Sequence, residues 1–298
     1  MSGTFAQGPL SSKAGIALPA VSVVGGMNLD ILGMPAGQMR LRDSNIGHIF
    51  FRPGGVGRNI AARLAEAGAK TRLCTVVSRD ERGRMLRDSC REAGIDLSFS
   101  VETDRPTPCY LCIHDETGDM LAALNDMAAM EEMTPTALAG RLPALNNADL
   151  CVLDANLPPE TLRYLASRVT VPLVMEPVSC AKAKRALPIL PYLAAIKPNR
   201  MEAVEMTGET DMEKAAAWLL DRGVKTVFIS LGKDGVLYRD MNGGGVIPAI
   251  PLRSIPLTGA GDALCAGLAL AMARGMDTRE CAESGVMAAY RALTREMT

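Results

Sequence analysis

The sequence predicts an α/β fold with a doubly wound, mainly parallel sheet flanked by helices, and with a small β lid. Short apolar runs alternate along most of the 298 residues with amphipathic stretches, which is typical of β-α-β units. Glycine-rich turns precede several of the helical stretches. Two segments, about residues 33–53 and 97–124, carry strand patterns and turn residues without a helix. They predict a lid over a ligand cleft, or otherwise an ordinary extension of the sheet.

Composition narrows the classes of partner. The formal net charge is -1, whereas a nucleic-acid-binding surface normally brings a basic excess. No apolar run approaches the roughly 18 to 20 residues that span a bilayer. We therefore expect a small-molecule ligand, with no nucleic acid and no membrane as partners. The Gly/Ser/Ala/Pro-rich residues 1–19 predict a disordered tail, and residues 20–298 a single domain.

The eight cysteines are scattered through apolar segments of a long chain. This distribution indicates reduced thiols in a cytoplasmic protein rather than a disulfide framework. Cys109 and Cys112 form a C-x-x-C pair, but the surrounding "TPCYLCI" has the pattern of a strand, in which positions i and i+3 point to opposite faces. Metal or redox use of this pair is therefore the less favoured alternative.

The main elements follow in order. The first strand is "AVSVVGG" at residues 20–26, and the helix "RNIAARLAEAGA" leads to the strand "TRLCTVV". The helix "DERGRMLRDSCREAG" comes next. Four later apolar runs read as buried strands separated by helical stretches: "ADLCVLDA", "VPLVMEP", "LAAIKPN" and "TVFISLG". Near-continuous apolar runs of this length are expected of parallel strands covered on both faces.

The stretch "TGAGDA" precedes a small, apolar helical run at "ALCAGLALAMARG". Gly259, Ala260 and Gly261 therefore lie at a helix N-terminus, where unpaired backbone N–H groups and the helix dipole favour an anion. Asp262 follows directly. Its carboxylate is either a simple helix cap or a chemical group beside the anion site.

Two further glycine-rich stretches lie near the N-terminus. In "RPGGVGRN", Gly54, Gly55 and Gly57 permit close approach of a polyol, and Asn59 can both donate to and accept from hydroxyls. In "GGMNLDILG", Asn28 and Asp30 share one face at the end of the first strand. Ligands of open α/β sheets bind beyond the carboxyl ends of the strands. The alternative is ordinary turn polarity.

Two stretches in the C-terminal half are candidates for phosphate and nucleotide contacts. In "KPNRMEA", Asn199 and Glu202 lie on one side of a first helical turn, where an amide and a carboxylate can hold metal-bound water beside phosphates. Glu202 would equally be favoured there by the helix dipole alone. In "SLGKDGV", Ser230 and Gly232 follow a strand and offer small residues to a nucleotide, although a hairpin turn would look similar. A P-loop motif does not occur.

Taken together and in this order, "GGMNLDILG", "PGGVGRN", "KPNRMEA", "SLGKDG" and "TGAGDA" resemble the ribokinase (PfkB) superfamily of sugar and nucleoside kinases, from about Val21 onward. The stretches "SNIGHIFFRPGGVGRNIA", "LNDM" and "EPVSCAKAK" resemble bacterial pseudouridine kinases within it. The resemblance implies a ribokinase-like fold and phosphorylation of the 5′-hydroxyl of pseudouridine with ATP and Mg²⁺. Another ribonucleoside, ribose or another furanose remains an alternative acceptor, and a non-catalytic sugar- or nucleoside-sensing module is an alternative of another class.

The resemblance also implies roles for the candidate residues. Asp262 would be the base, with Gly259, Ala260 and Gly261 as the anion hole. The ribose would be held by Asn28, Asp30, Gly55 and Asn59. Asn199, Ser230 and Gly232 would contact the nucleotide, and Glu202 the metal, including through water. Asn125 and Asp126 follow the second lid segment and would approach the ligand, but the resemblance assigns no specific contact to them. A homodimer through the lid and a monomer both remain open.

This sequence departs from the family pattern at two positions. Pro256 stands where many members carry an Asp in a monovalent-cation loop, so the resemblance does not extend to activation by potassium. Glu176 stands in "MEPVS" where an Asp is common, which keeps an acidic group there with a longer reach.

Overall fold

The computed structural model describes residues 17–252 and 259–295. Thr258 and Pro256 lie outside these ranges, as does almost all of the tail predicted over residues 1–19. The described strands are β1 (Ala20–Val24), β2 (Asn28–Pro35), β3 (Gly47–Gly54), β4 (Lys70–Cys74), β5 (Val76–Ser78), β6 (Val101–Thr103), β7 (Cys109–His114), β8 (Met120–Asp126), β9 (Leu150–Asp154), β10 (Leu173–Glu176), β11 (Ala195–Ile196), β12 (Thr226–Ser230), β13 (Val236–Asp240) and β14 (Gly243–Ile247).

The main sheet has eight described strands in the order β14-β13-β12-β11-β10-β9-β1-β4. The six strands from β12 to β4 run parallel, and β13 and β14 add an antiparallel hairpin at one edge. Strands β9 and β10 are buried along their whole length, as expected of parallel strands covered on both faces. The strand order reverses at β1, which lies between β4 and β9, and this is where doubly wound folds open a ligand crevice.

Helices cover both faces of the main sheet. They are α1 (Val56–Glu66), α2 (Glu81–Glu92), α3 (Pro135–Ala139), α4 (Leu142–Asn146), α5 (Pro159–Arg168), α6 (Cys180–Ala183), α7 (Arg200–Thr207), α8 (Met212–Asp221), α9 (Ala260–Ala273) and α10 (Thr278–Arg295). One core contains buried residues of α1, α2, α9 and α10, and the other contains those of α5, α7 and α8. None of the described helices is long and apolar enough to cross a membrane.

A second sheet of four strands, in the order β3-β2-β7-β8, is built from the two segments that break the alternating pattern. Its bounds differ from those predicted. The first segment already begins at Asn28, because the chain leaves β1 through Gly25, Gly26 and Met27 and enters the second sheet at once. The second segment begins only at Cys109. Residues 101–103 instead pair with β5 in a separate two-stranded sheet.

The two faces of the second sheet differ in character. Residues paired across neighbouring strands lie on the same face. On the inner face, which carries Asp30, the first cross-strand row is Arg52, Asp30, Tyr110 and Asn125, and the second is Phe50, Leu32, Cys112 and Ala123. On the outer face the corresponding row is Phe51, Ile31, Leu111 and Leu124. The inner face therefore passes from polar to apolar, whereas this outer row is apolar throughout.

The cysteines follow the sequence-based expectation. All eight are free thiols. Cys109 and Cys112 both lie on β7, and burial is greater for Cys112 than for Cys109. The C-x-x-C pair is therefore part of a strand, as predicted.

Candidate active site

The N-terminus of α9 lies at the carboxyl edge of the main sheet. Gly259 caps the helix in the left-handed conformation, with φ of 87° and no side-chain cap bond. Such a backbone angle is readily adopted only by glycine. The N–H groups of Ala260, Gly261 and Asp262 have no partner within the helix, since a helix leaves its first turn of donors free. The helix therefore starts where the sequence predicted, and the anion site at this start stays a prediction.

Two cavities meet at this helix start. The polar cavity, of about 550 Å³, lies between the inner face of the second sheet, α1 and α9, and both Gly259 and Asp262 line it. The apolar cavity, of about 420 Å³, lies between β12, β13, α9 and α10, and Ala260 and Gly261 line it. A single helical turn thus separates two ligand-sized spaces and presents its carboxylate to one and its backbone to the other.

Asp262 is bound across the polar cavity to the neighbouring helix. Asn59 Nδ2, on α1, donates to Asp262 Oδ2 at 2.9 Å. Burial raises the pKa of the Asp262 carboxyl to about 6, while the bond from Asn59 and the charge of Lys197 oppose that rise. Two predicted site residues 203 positions apart are therefore in direct contact, and the pKa of the carboxyl is raised towards neutral pH.

Asn28 and Asp30 lie on β2, at the start of the second sheet rather than at the end of the first strand. Asn28 Nδ2 donates to Asp30 Oδ1 at 2.6 Å, so the two side chains share a face as the period of two requires. Asp30 lines the polar cavity, and Asn28 is buried behind it. Burial raises the pKa of Asp30, and the bond from Asn28 opposes this.

The glycines before α1 make room for the neighbouring backbone of residues 25–27. Gly55 has φ of 96°, and a Cβ there would stand 2.6 Å from the carbonyl oxygen of Gly26. A Cβ on Gly57 would stand 2.9 Å from the carbonyl carbon of Gly25. The two glycine stretches therefore pack against each other, which brings α1 and Asn59 up to the carboxyl end of β1.

A buried ion pair that sequence reasoning missed lies beneath the start of α9. Lys197 Nζ is 2.9 Å from Glu176 Oε2, and both side chains are buried. The same ammonium lies 3.9 Å from the point where a Cβ on Gly261 would stand. Burial raises the pKa of the Glu176 carboxyl to about 7, and Lys197 limits the rise. The sequence signal that could have indicated this pair is a charged residue at the end of each of two apolar strands, "VPLVMEP" and "LAAIKPN".

Asn199 and Glu202 form a capping box at the start of α7. Asn199 Oδ1 accepts from the Glu202 N–H at 2.9 Å, and Glu202 Oε2 accepts from the Asn199 N–H at the same distance. Within the described ranges, no three His, Cys, Asp or Glu side chains converge as a metal cage. A Mg²⁺ ion usually takes one or two carboxylates and completes its shell with phosphate oxygens and water, and the buried Glu202 is compatible with such a site.

Ser230 and Gly232 line the apolar cavity together with Asn199. Gly232 has φ of 65° and opens the turn between β12 and β13, so the hairpin alternative correctly describes the local structure. Sequence reasoning missed the contribution of α10, which supplies Val286, Ala289, Tyr290 and Leu293 to the cavity. Their spacing is that of one helical face, but the pattern does not identify the space that this face covers.

Comparisons with known proteins agree with this architecture. The family model described as pfkB family carbohydrate kinase matches residues 19–298. The pseudouridine kinase of Escherichia coli (strain K12) is 36% identical over 93% of this chain and 91% of its own.

Solved structures show the same fold. The ribokinase of Thermotoga maritima superimposes with a TM-score of 0.84 at 26% identity, covering 93% of each chain. The Arabidopsis thaliana ribokinase complexed with ribose and ATP superimposes with a TM-score of 0.83 at 22% identity, covering 92% of each chain. The match of the family model over nearly the whole sequence shows that this chain belongs to the pfkB family of carbohydrate kinases, phosphotransferases that act on a hydroxyl group.

Proposed function

We propose that this kinase transfers the γ-phosphoryl group of ATP to the 5′-hydroxyl of pseudouridine. The observation that carries the proposal is the position of the α9 start between two cavities, with the carboxylate of Asp262 on one side and backbone donors on the other. The similarity to the E. coli pseudouridine kinase supports the choice of acceptor. The acceptor would occupy the polar cavity and the nucleotide the apolar cavity.

The chemistry needs a base, a place for negative charge and correct alignment. Asp262 would take the proton of the acceptor hydroxyl as its oxygen bonds to the γ-phosphorus and the bond to the β-phosphate oxygen breaks, releasing ADP. The free N–H groups at the start of α9 would stabilise the charge on the transferring group. The adjacent Lys197 ammonium adds a fixed positive charge beneath them. Bound Mg²⁺ would neutralise phosphate charge.

The remaining residues would position the two substrates. Asp30 and Asn59 line the polar cavity, and their side chains offer hydrogen-bonding groups that suit ribose hydroxyls. Asn28 orients Asp30 through its hydrogen bond to the carboxylate. Gly55 contributes by setting the approach of α1. Ser230 and Gly232 would lie along the nucleotide, and Asn199 and Glu202 would hold phosphate-bound metal through water. Asn125, to which the sequence assigned no specific contact, pairs with Tyr110 on the inner face of the second sheet.

An acceptor screen tests the proposal. Pseudouridine, uridine, other ribonucleosides, ribose and another furanose are each offered with ATP and Mg²⁺, and ADP release is measured. We expect the highest kcat/KM for pseudouridine. Turnover of only a free sugar would contradict the nucleoside assignment and favour a ribokinase-like activity. Nucleoside binding by folded protein without any transfer would favour a sensing module.

We also propose that two copies associate through the outer face of the second sheet. Apolar side chains there are unusually exposed, with Ile49 at 68%, Phe51 at 57% and Leu124 at 71%. Contiguous exposed apolar surface of this kind is typical of an association site. A second copy offers a chemically matching surface, since a two-fold axis pairs the same patch with itself.

A further inference from the structure

The polar cavity is longer than a sugar ring requires. Its volume of about 550 Å³ falls within the roughly 300 to 1,000 Å³ that hold drug-sized ligands. It is lined near α9 by Asn59 and Asp262, and at the tip of the second sheet by His114 and Gly118. A ribose bound beside Asp262 would therefore leave the far part of the cavity open to a second ring.

The inner face of the second sheet changes chemistry along this length. Its first row is polar, with Asp30 and Tyr110 lining the cavity, and it lies next to α1 because β3 ends at Gly54 and the helix begins at Val56. Its second row, about 6.6 Å further along at a strand rise of about 3.3 Å per residue, presents Leu32 and Cys112. A polar region followed by an apolar region matches a sugar followed by a flat base.

His114 lies two residues beyond Cys112 on the same strand and also lines the cavity. Its Nε2 atom is 3.6 Å from Cys112 Sγ, which holds the ring next to the apolar row. A neutral imidazole offers one hydrogen-bond donor and one acceptor. Pseudouridine and uridine differ in the ring atom that carries the sugar, so pseudouridine has an N–H where uridine has a C–H. An acceptor aimed at this edge of the base would separate the two isomers.

We propose, on the basis of the nucleoside kinase activity proposed above, that Leu32 and Cys112 contact the flat face of the acceptor base and that His114 accepts a hydrogen bond from the N–H that distinguishes pseudouridine from uridine. The far end of the polar cavity is then a base subsite. It selects the nucleoside, while Asn59 and Asp262 act on the sugar.

The test compares His114→Phe and His114→Asn with a matched control, His48→Phe. His48 is the other histidine of the chain, and it is exposed on β3 outside the polar cavity. The kcat/KM for pseudouridine and for uridine is measured for each enzyme at saturating ATP. We expect His114→Phe to lower the value for pseudouridine by about 10- to 100-fold, mainly through KM, and the value for uridine by less than about threefold. His114→Asn keeps an acceptor and should recover part of the loss, and His48→Phe should resemble the wild type.

Three results would overturn this base subsite. An equal loss for both nucleosides in His114→Phe would mean that His114 only supports the sheet. No loss for pseudouridine would mean that the base edge is read elsewhere. A wild-type enzyme that accepts only free sugars would remove both the base subsite and the proposed function.

One further result separates the two proposals. If the wild type phosphorylates a different nucleoside and not pseudouridine, the proposed acceptor is wrong, and the same four enzymes are compared on that nucleoside and on ribose. A loss in His114→Phe confined to the nucleoside would then support the subsite, and a uniform or absent loss would overturn it.

Discussion

At the level of the single residue, Asp262 could be a helix cap or a catalytic base, and its contacts do not include those of a helix cap. A helix-capping carboxylate bonds to the free N–H groups of its own helix. The described side-chain bond of Asp262 runs instead from Asn59 on α1, and the cap position is occupied by Gly259. The carboxylate is therefore held at the wall of the polar cavity with a raised pKa, and these two properties support the proposal that it is the general base.

Asp262→Asn tests this role directly. The amide keeps the shape and can still accept from Asn59, so we expect phosphoryl transfer to fall by about two to four decades, with nucleotide binding largely retained. Because the folded state raises this pKa from 3.8 to about 6, ionisation of Asp262 as the pH rises through that range lowers stability. The variant should therefore unfold at an equal or higher temperature at pH 7. Near-normal turnover would exclude Asp262 as the base, and lost turnover without loss of the fold would support it.

Asn59→Ala should change both the acceptor kinetics and the pH profile. Loss of the amide is expected to lower acceptor kcat/KM by about one to two decades, with a smaller effect on ATP binding. The bond from Asn59 lowers the pKa of Asp262, so its removal should move the acidic limb of the kcat/KM profile, expected near pH 6 in the wild type, to higher pH. Unchanged acceptor kinetics together with weaker ATP binding would mean that Asn59 does not hold the sugar of the acceptor.

At the level of elements, local patterns predicted the helices and central strands but not every strand partner. "RNIAARLAEAGA" and "DERGRMLRDSCREAG" correspond to α1 and α2, because their apolar spacing is that of a helix. Residues 101–103 do form a strand, but they pair with β5 and not with the second sheet. A period-two pattern indicates a strand without naming its partner, which depends on contacts distant in sequence.

The same limit applies to the site. Motifs at helix starts and strand ends predicted Asn59, Asp262 and Ser230 as site residues, since glycine turns and polar strand ends are local features, and all three line one of the two cavities. Neither the contribution of Tyr290 on α10 nor the Lys197–Glu176 pair was predicted. Both depend on which elements the sheet order brings together. The position of Asn28 and Asp30 on the second sheet was not predicted either, because the strand pattern continues from β1 into β2 and does not show that the chain changes sheets.

The approach of α1 to β1 depends on Gly55. Gly55→Ala would place a Cβ 2.6 Å from the Gly26 carbonyl oxygen at a φ of 96°, so we expect a loss of at least about 2 kcal/mol in the free energy of unfolding and weaker acceptor kinetics. The matched control is Gly140→Ala. Gly140 has φ of -71° and no neighbouring atom within 4 Å of the added Cβ, so its stability should change by less than about 1 kcal/mol. Chemical denaturation measures both, and equal stabilities would contradict the packing argument.

On the scale of the whole molecule, the two faces of the second sheet differ in what they can contact. Its inner face lines the polar cavity, and its outer face carries the exposed apolar row. Alternation of side chains along each strand assigns successive residues to these two surfaces. Association through the outer face would therefore leave the inner face directed at the acceptor. The partner copy would at the same time restrict movement of the second sheet.

Light scattering coupled to size exclusion tests this association. We expect the wild type to show about twice the chain mass of 31.6 kDa, and Leu124→Lys to shift it towards the monomer, because a charge buried without a partner at an apolar interface costs several kcal/mol. Met241→Lys is the control, since Met241 is 92% exposed and lies between β13 and β14, away from the second sheet. A monomeric wild type at micromolar concentration, or a Leu124→Lys variant that stays dimeric, would contradict association through this face. Dissociation by Leu124→Lys but not by Met241→Lys would assign the interface to the outer row, because both changes add the same charge to an exposed apolar position.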